Sequence, residues 1–208
     1  MPRRLFCKED IMRKIVTILA LMLMCAVHAM AQESAAAVGR VARYVEQLGS
    51  YDAQFDIEAE GFEASGSYAV AGDAYHIKLQ QAEVFSDGKC RYEVDHERKE
   101  VNIDVVDLSS RNVLDNPTRC FDFVGEDYDV EIVDEATERI TLRITAREDA
   151  FEGEIFLTAD LKGKPLQLEY KLYDDVITVK VSSITSRKTK IASYSQSMFK
   201  DYDVIDFR

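Results

Sequence analysis

The spacing of apolar residues along the chain changes at Gly49. Before Gly49, Val38, Val41 and Val45 recur every three or four residues among polar neighbours, which is typical of an amphipathic helix. Glycine readily adopts the left-handed conformation that often ends a helix. The sequence therefore predicts a helix from Glu33 to Leu48, with one apolar face that must cover another part of the protein.

After this helix, apolar and polar residues alternate, which indicates strands with one buried face. Gly72-Asp73 and Asp87-Gly88 separate such runs, and the second pair is a strong hairpin signal. Asn116-Pro117 interrupts the strands and predicts a short second helix that includes Phe121 and Phe123. About ten strands at hairpin spacing, without the strand–helix alternation of parallel sheets, predict a mainly β protein. We expect one antiparallel sheet, curled into an open barrel or a sandwich.

The first 31 residues have the features of a signal peptide. Arg13 and Lys14 precede an apolar run from Ile15 to Val27, and Ala29-Met30-Ala31 places small residues where a signal peptidase reads them. The run is short for a bilayer span, although a retained membrane anchor is the alternative. We therefore expect cleavage before Gln32, export to the periplasm, and a single domain over residues 32–208.

Charge narrows the classes of partner. Residues 32–208 contain 21 Lys and Arg against 36 Asp and Glu, a net charge of −15. Such a surface is repelled by nucleic acids and by anionic lipid headgroups, so we expect no nucleic-acid binding. Cys90 and Cys120 are the cysteines of this part of the chain. In an oxidising compartment they could form a disulfide, or they could be two separate buried thiols.

Motifs for catalysis or metal binding are missing from the sequence. There is no nucleophile elbow, P-loop, dinucleotide-binding glycine motif or zinc-ligand spacing. His76 lies in an alternating run and His96 in a charged turn, where we expect it to be solvated. Asp127, Asp129 and Glu131 could form a weak calcium site, but a solvated strand face is the simpler interpretation. We therefore expect no catalysis, no cofactor and no metal.

An apolar face on a curled sheet of this size suits an apolar ligand if the sheet does not close around its own side chains. Each buried methylene contributes about 0.8 kcal/mol, so one long acyl chain could contribute on the order of 10 kcal/mol. A carrier that gained all of this would not release its ligand. We therefore expect helical segments that occupy the same apolar surface when no ligand is bound.

Several segments together carry a resemblance to a known family. They are the run Ser50-Tyr51-Asp52-Ala53-Gln54-Phe55 after the first helix, Asp87-Gly88-Lys89-Cys90-Arg91-Tyr92, Asn116-Pro117, and Phe199 with Tyr202-Asp203-Val204-Ile205-Asp206-Phe207-Arg208. In this order and spacing the chain resembles the outer-membrane lipoprotein carrier proteins, the LolA-like family, and especially members from Bacteroidetes-like bacteria.

The resemblance implies an unclosed antiparallel β-barrel covered by a helical lid. The cavity would take the acyl chains of a lipoprotein received from an inner-membrane lipoprotein-releasing ABC transporter and delivered to the outer membrane, where the acceptor is left open. A monomer is expected. By position, the cavity would be lined by Phe55, Ile57, Tyr68, Tyr75, Ile77, Tyr92 and Ile103. The lid would contain Val41, Val45, Phe121 and Phe123.

Two departures from the family pattern bear on mechanism. The turn Ala71-Gly72-Asp73 stands where better-known members have a basic residue and proline linked to cargo release, and Tyr92 stands where Trp is usual. The release mechanism is therefore open. Two other functions remain: a periplasmic lipid-binding sensor or envelope-stress module on the same fold, and an acidic secreted hydrolase on a β-sandwich.

Overall fold

The computed structural model describes residues 33–110, 118, 127–147 and 153–208. Helix α1 spans residues 33–48, as the apolar spacing predicts. Gly49 follows it with φ 65°, a backbone conformation that favours glycine. Val38 and Val41 are buried on one side of α1, so the helix packs through the face that the sequence indicates.

In the described part of the chain, twelve strands follow α1, and most are joined by short turns. Gly72 and Gly88 have φ 61° and 83°, which explains why glycine is present in these two hairpin turns. The strands are β1 (Tyr51–Ala59), β2 (Phe62–Ala71), β3 (Ala74–Lys78), β4 (Ala82–Ser86), β5 (Cys90–Asp95), β6 (Glu100–Val105), β7 (Tyr128–Glu135), β8 (Arg139–Ala146), β9 (Glu154–Asp160), β10 (Pro165–Leu172), β11 (Asp175–Ser186) and β12 (Asp203–Asp206).

The strands form one sheet in the order β12-β6-β5-β4-β3-β2-β1-β11-β10-β9-β8-β7. Every neighbouring pair is antiparallel except β12 and β6, which are parallel. Among the described strands, β12 and β7 are the two edges and do not pair with each other, so the sheet is not closed into a barrel. The expected fold class, an open antiparallel sheet with a helix over it, is confirmed.

Cross-strand partners lie on the same face of a sheet, so the register defines two faces. One row runs from Leu142 on β8 through Leu157 and Leu168 to Val179 on β11 and Ile57 on β1. We call the surface that contains this row the helix face, because α1 packs on its β7–β9 end. Buried contacts join α1 to the sheet through Ala37, Val38, Val41, Tyr128, Ile140, Leu142, Ile144, Leu157 and Ala159.

The opposite face is covered at the other end of the sheet. Residues 187–202, which we call the C-terminal segment, follow β11 and contain a short 3-10 helix, Gln196–Met198. Phe199 of this segment packs in a buried cluster with Phe85, Val94, Val101 and Ile103. The two halves of the sheet therefore have their covers on different faces.

Several predictions fall outside the described residues. They concern the signal peptide over residues 1–31, the second helix with Phe121 and Phe123, and Cys120. Cys90 is a free thiol. In the part of the chain that the structure describes, no helix has both the length and the apolar character needed to cross a bilayer.

Candidate functional site

The helix face carries apolar side chains well beyond the edge of α1. Leu168 and Ile177 are 38% and 39% exposed, although each continues a row of side chains that begins on the strands beneath the helix. We call this part of the helix face the open strip. Its members are Leu168, Tyr170, Ile177, Val179, Val181, Phe55 and Ile57. Since water contacts apolar residues along this strip, it can bind an apolar ligand without rearrangement of the sheet.

Five of the seven residues predicted to line a cavity lie on the helix face. Phe55 and Ile57 belong to the open strip, and Tyr68 pairs with Ile77 on the neighbouring strands. The rings of Tyr68 and Tyr75 meet edge to face with their centroids 6.0 Å apart. The structure therefore brings these five side chains together on one surface.

The other two predicted cavity residues, Tyr92 and Ile103, lie on the opposite face. Tyr92 pairs with Phe85 on one side and with Ile103 on the other. Its ring stacks on Tyr194 of the C-terminal segment at 4.3 Å. Because β4 carries apolar side chains on both faces, alternation alone does not tell which face belongs to which cover.

The predicted lid residues of α1 differ in their burial. Val41 is 1% exposed and packs with Tyr128, Ile144 and Leu157, whereas Val45 is half-buried. Phe121 and Phe123 lie outside the described residues. The described part of the predicted lid therefore covers β7–β9 and leaves the open strip beside it.

The opposite face contains a buried polar cluster that the sequence pattern does not predict. The carboxylate of Glu83, 10% exposed, lies 2.7 Å from His76 Nε2, 3.3 Å from His96 Nε2 and 3.5 Å from Lys78 Nζ. His96 Nδ1 is 2.9 Å from the Tyr202 hydroxyl. The expectation that His96 is simply solvated is therefore wrong, because it joins the sheet to the C-terminal end of the chain.

The sequence predicts only some of the contacts in this cluster. Glu83 is two residues before Phe85, so both point to the same face, and a carboxylate on a buried face needs partners. Its partners come from β3 and from the turn after β5, where His96 also contacts Tyr202. The first of these is predictable from hairpin pairing, but Tyr202 is too far along the chain for local pattern to indicate.

Acidic residues of the candidate calcium site are engaged in ion pairs. Asp129 Oδ1 lies 2.7 Å from Arg147 Nη2, and Glu131 Oε2 lies 2.5 Å from Arg143 Nη2. Among the described residues, no group of three His, Cys, Asp or Glu side chains is arranged to hold a metal ion. These carboxylates therefore contribute to a charged strand surface.

A cavity of about 760 Å³ lies where β2 extends beyond the end of β3. It is bounded by the β1–β2 hairpin, the β3–β4 turn and the end of β5. We call it the notch. It is lined by Asp56, Ile57, Glu58, Phe62, Glu63, Ala64, Ser65, Leu79, Gln80, Gln81, Ala82, Asp95 and Glu97. A second cavity of about 400 Å³ shares Asp56, Ser65, Leu79 and Gln80 with it.

The sequence matches no protein-family model and no curated protein. Among solved structures, an uncharacterised conserved protein from Thermus thermophilus is similar in fold, with a TM-score of 0.51 at 10% identity over 84% of this chain and 99% of that chain. MucB is similar with a TM-score of 0.49 at 14% identity over 81% of this chain, which spans 62% of the length of MucB. The structural neighbours include a LolA superfamily protein from Nitrosomonas europaea, with a TM-score of 0.40 at 8% identity over 76% of this chain and 94% of that chain.

Proposed function

We propose that this protein is a periplasmic carrier that shields the acyl chains of lipoproteins and shuttles them from the inner to the outer membrane, without catalysing a reaction. The observation that carries this proposal is the continuity of the helix face. One unbroken row of apolar side chains passes from beneath α1 to the open strip, where Leu168 and Ile177 are more than a third exposed. An acyl chain that binds the open strip can extend under α1 wherever the helix moves aside.

Competition between α1 and the ligand gives this carrier a means of release. Burial of a long acyl chain would contribute on the order of 10 kcal/mol if the surface were empty. Val38 and Val41 of α1 occupy the β7–β9 part of that surface. Displacing them costs free energy, so the net affinity is reduced and the cargo can be handed over.

The predicted signal peptide and the acidic surface fit the proposed location. Cleavage after residue 31 would place residues 32–208, with a net charge of −15, in the periplasm. Repulsion from anionic headgroups opposes resting on a membrane, which suits a carrier that exchanges cargo with partners. The proposed donor is the inner-membrane lipoprotein-releasing ABC transporter, and the protein would act as a monomer.

The proposal predicts that acyl-chain binding depends on the open strip. We expect Leu168→Asp and Ile177→Asp to weaken binding of a dansylated fatty acid by about tenfold or more, since each places a charge against the acyl chain. Fluorescence titration measures this. Val105→Asp is the matched control, because Val105 is 63% exposed and lies on the opposite face. An equal loss of fatty-acid affinity in all three variants would contradict the proposal.

Two experiments in the native organism test which cargo the protein carries and whether it takes part in lipoprotein sorting. Mass spectrometry of the purified protein should identify co-purified lipoproteins, and depletion of the protein should leave lipoproteins at the inner membrane. Bound lipid together with normal lipoprotein sorting after depletion would favour the sensor function and would overturn the shuttle.

A further inference from the structure

The notch contains a length of strand edge that lacks a partner. On one side, β2 pairs with β1 from Phe62 to Val70, but its pairing with β3 begins only at Ser67. Residues 62–65 are therefore unpaired on the β3 side among the described strands. An edge of this kind can accept a further strand by main-chain hydrogen bonding.

The hydrogen-bond pattern shows which backbone groups face the notch. The two-residue turn at Gly72-Asp73 makes Ala71 one end of a hydrogen-bonded pair with β3, and such pairs recur at every second residue, as far as Ser67. Continuing this alternation, the backbone N–H and C=O groups of Ser65 and Glu63 point into the notch. They provide two places for an incoming strand to pair.

The walls of the notch determine the chemistry of that strand. Among the described residues, the notch is lined by five carboxylates, from Asp56, Glu58, Glu63, Asp95 and Glu97, and by no Lys or Arg. Glu58 is paired with Lys180 and Asp95 with Arg98, both outside the lining. The backbone N–H of Arg98 donates to Asp95 and lowers its pKa, so this carboxylate stays ionised to a lower pH than an ordinary aspartate does. A segment with Lys or Arg side chains would be complementary to these charges.

The notch also has apolar walls. Phe62, 45% exposed, and Leu79 lie among the lining residues with Ile57. A strand that alternates basic and apolar residues could therefore place one set of side chains against the carboxylates and the other against these walls. Ile57 also belongs to the open strip, so the notch adjoins the proposed acyl-chain surface.

We propose that the notch is a docking site for an extended, basic segment of a partner polypeptide, which pairs as an additional strand with residues 62–65 of β2. This inference goes beyond the acyl-chain proposal, since it involves a peptide and, apart from Ile57, different residues. The two can therefore fail separately.

The experiment uses a fluorescent peptide of alternating Lys and Val, seven residues long, with blocked termini and no lipid attached. We expect saturable binding by fluorescence anisotropy. Methylation of alternate backbone amides of the peptide should weaken binding about tenfold, as expected for the loss of one or two backbone hydrogen bonds. Replacement of every Lys of the peptide by Glu should abolish binding.

Variants of the protein locate the site. The double variant Glu63→Gln and Glu97→Gln should weaken binding several-fold. The matched control, Glu135→Gln with Glu138→Gln, removes two exposed carboxylates at the β7–β8 turn and should have no effect. Bound peptide should also slow hydrogen exchange at the amides of Glu63 and Ser65.

Three results would overturn the proposal. They are the absence of binding, equal weakening in both double variants, and binding without slower exchange at Glu63 and Ser65. Either of the last two results would show that the peptide is attracted to the acidic surface in general and does not pair with β2. Fatty-acid binding should be unchanged in the Glu63→Gln, Glu97→Gln variant, which separates this site from the open strip.

Discussion

At the scale of single residues, Gly66 shows how close packing fixes an identity. A Cβ atom at this position would lie 2.6 Å from Leu79 Cδ2, 2.7 Å from Phe55 Cζ and 2.8 Å from the Lys78 carbonyl oxygen. Because the last atom belongs to backbone, it cannot rotate away. We expect Gly66→Ala to lower the free energy of unfolding by about 1–3 kcal/mol, measured by urea denaturation.

Gly39→Ala provides the control for that substitution. A Cβ atom at Gly39 would meet only the flexible end of Arg43, with Nη1 at 3.2 Å, and Gly39 lies within α1. Alanine is the better helix former, so this change should leave stability unchanged or raise it by up to about 1 kcal/mol. Equal destabilisation by the two substitutions would contradict the packing assigned to Gly66.

The last residues of the chain contain an exposed ion pair with a clear pH signature. Hydrogen bonds from the Arg208 side chain lower the pKa of Asp206 to about 2, with Arg208 Nη2 2.5 Å from Asp206 Oδ2. Because the folded pKa is below the unfolded value, this contact stabilises the fold near neutral pH and is lost as pH falls through about 2.

Carbon NMR of the side-chain carboxyl groups measures this pKa directly. Asp206 should titrate near pH 2 in the native chain, and Arg208→Gln should raise its pKa towards the ordinary aspartate value. An unchanged pKa in Arg208→Gln would show that another group causes the shift.

The residue scale also shows what alternation can and cannot predict. The sequence pattern predicts one shared surface for the apolar positions of β1 to β3, and Phe55, Ile57, Tyr68, Tyr75 and Ile77 do share the helix face. The prediction also includes Tyr92 and Ile103, but both lie on the opposite face. Their strand pattern is equally compatible with either face, and the choice depends on the C-terminal segment that packs there.

At the scale of elements, the helices and strands that can be predicted are those whose sequence signal lies within a few neighbouring residues. The spacing of Val38 and Val41 is sufficient to predict α1. The glycine turns are sufficient to predict the hairpins that contain them. Strand β12 has only four residues, Asp203–Asp206, and pairs in parallel with β6. No turn joins the two strands, so the sequence pattern does not indicate their pairing.

The C-terminal segment is an element whose packing should matter for stability alone. Phe199 is buried, and its ring lies near those of Phe85 and Tyr194 on the opposite face. We expect Phe199→Ala to lower the free energy of unfolding by about 3–5 kcal/mol, measured by urea denaturation. Fatty-acid affinity of the folded protein should not change, because the open strip lies on the other face.

A surface substitution in the same segment serves as the control. Met198 is the neighbour of Phe199 in sequence and is 56% exposed, so Met198→Ala should alter stability by less than about 0.5 kcal/mol. If Phe199→Ala weakened fatty-acid binding as well, the two faces of the sheet would be coupled.

At the scale of the whole molecule, the described residues place two covers on one sheet. The C-terminal segment closes the β4–β6 end with a buried apolar cluster and with the contact of the Tyr202 hydroxyl with His96, which is itself paired with Glu83. Helix α1 closes the β7–β9 end through small and branched apolar side chains. The first cover is joined to the sheet by a polar contact through His96, whereas the buried contacts of α1 with the sheet are apolar and can be replaced by an acyl chain. A polar interaction remains at the side of α1, where burial and the nearby carboxylate of Asp160 raise the pKa of Tyr44.

If α1 and an acyl chain compete for one surface, a substitution that weakens the packing of α1 should lower stability and raise affinity for the acyl chain. Val41→Ala removes buried contacts with Tyr128 and Leu157, so the free energy of unfolding should fall by about 2 kcal/mol. The same loss makes displacement of α1 easier. Affinity for the dansylated fatty acid should therefore rise, by up to about tenfold if most of the lost free energy belongs to the docked helix.

Urea denaturation and fluorescence titration on the same preparation measure both changes. Phe199→Ala is the matched variant, since it should lower stability without raising affinity and so excludes general loosening as the cause. A fall in affinity on Val41→Ala would mean that Val41 contacts the ligand instead of competing with it, and α1 would then be a fixed wall of the binding surface. A rise confined to Val41→Ala would identify α1 as the element that the cargo displaces.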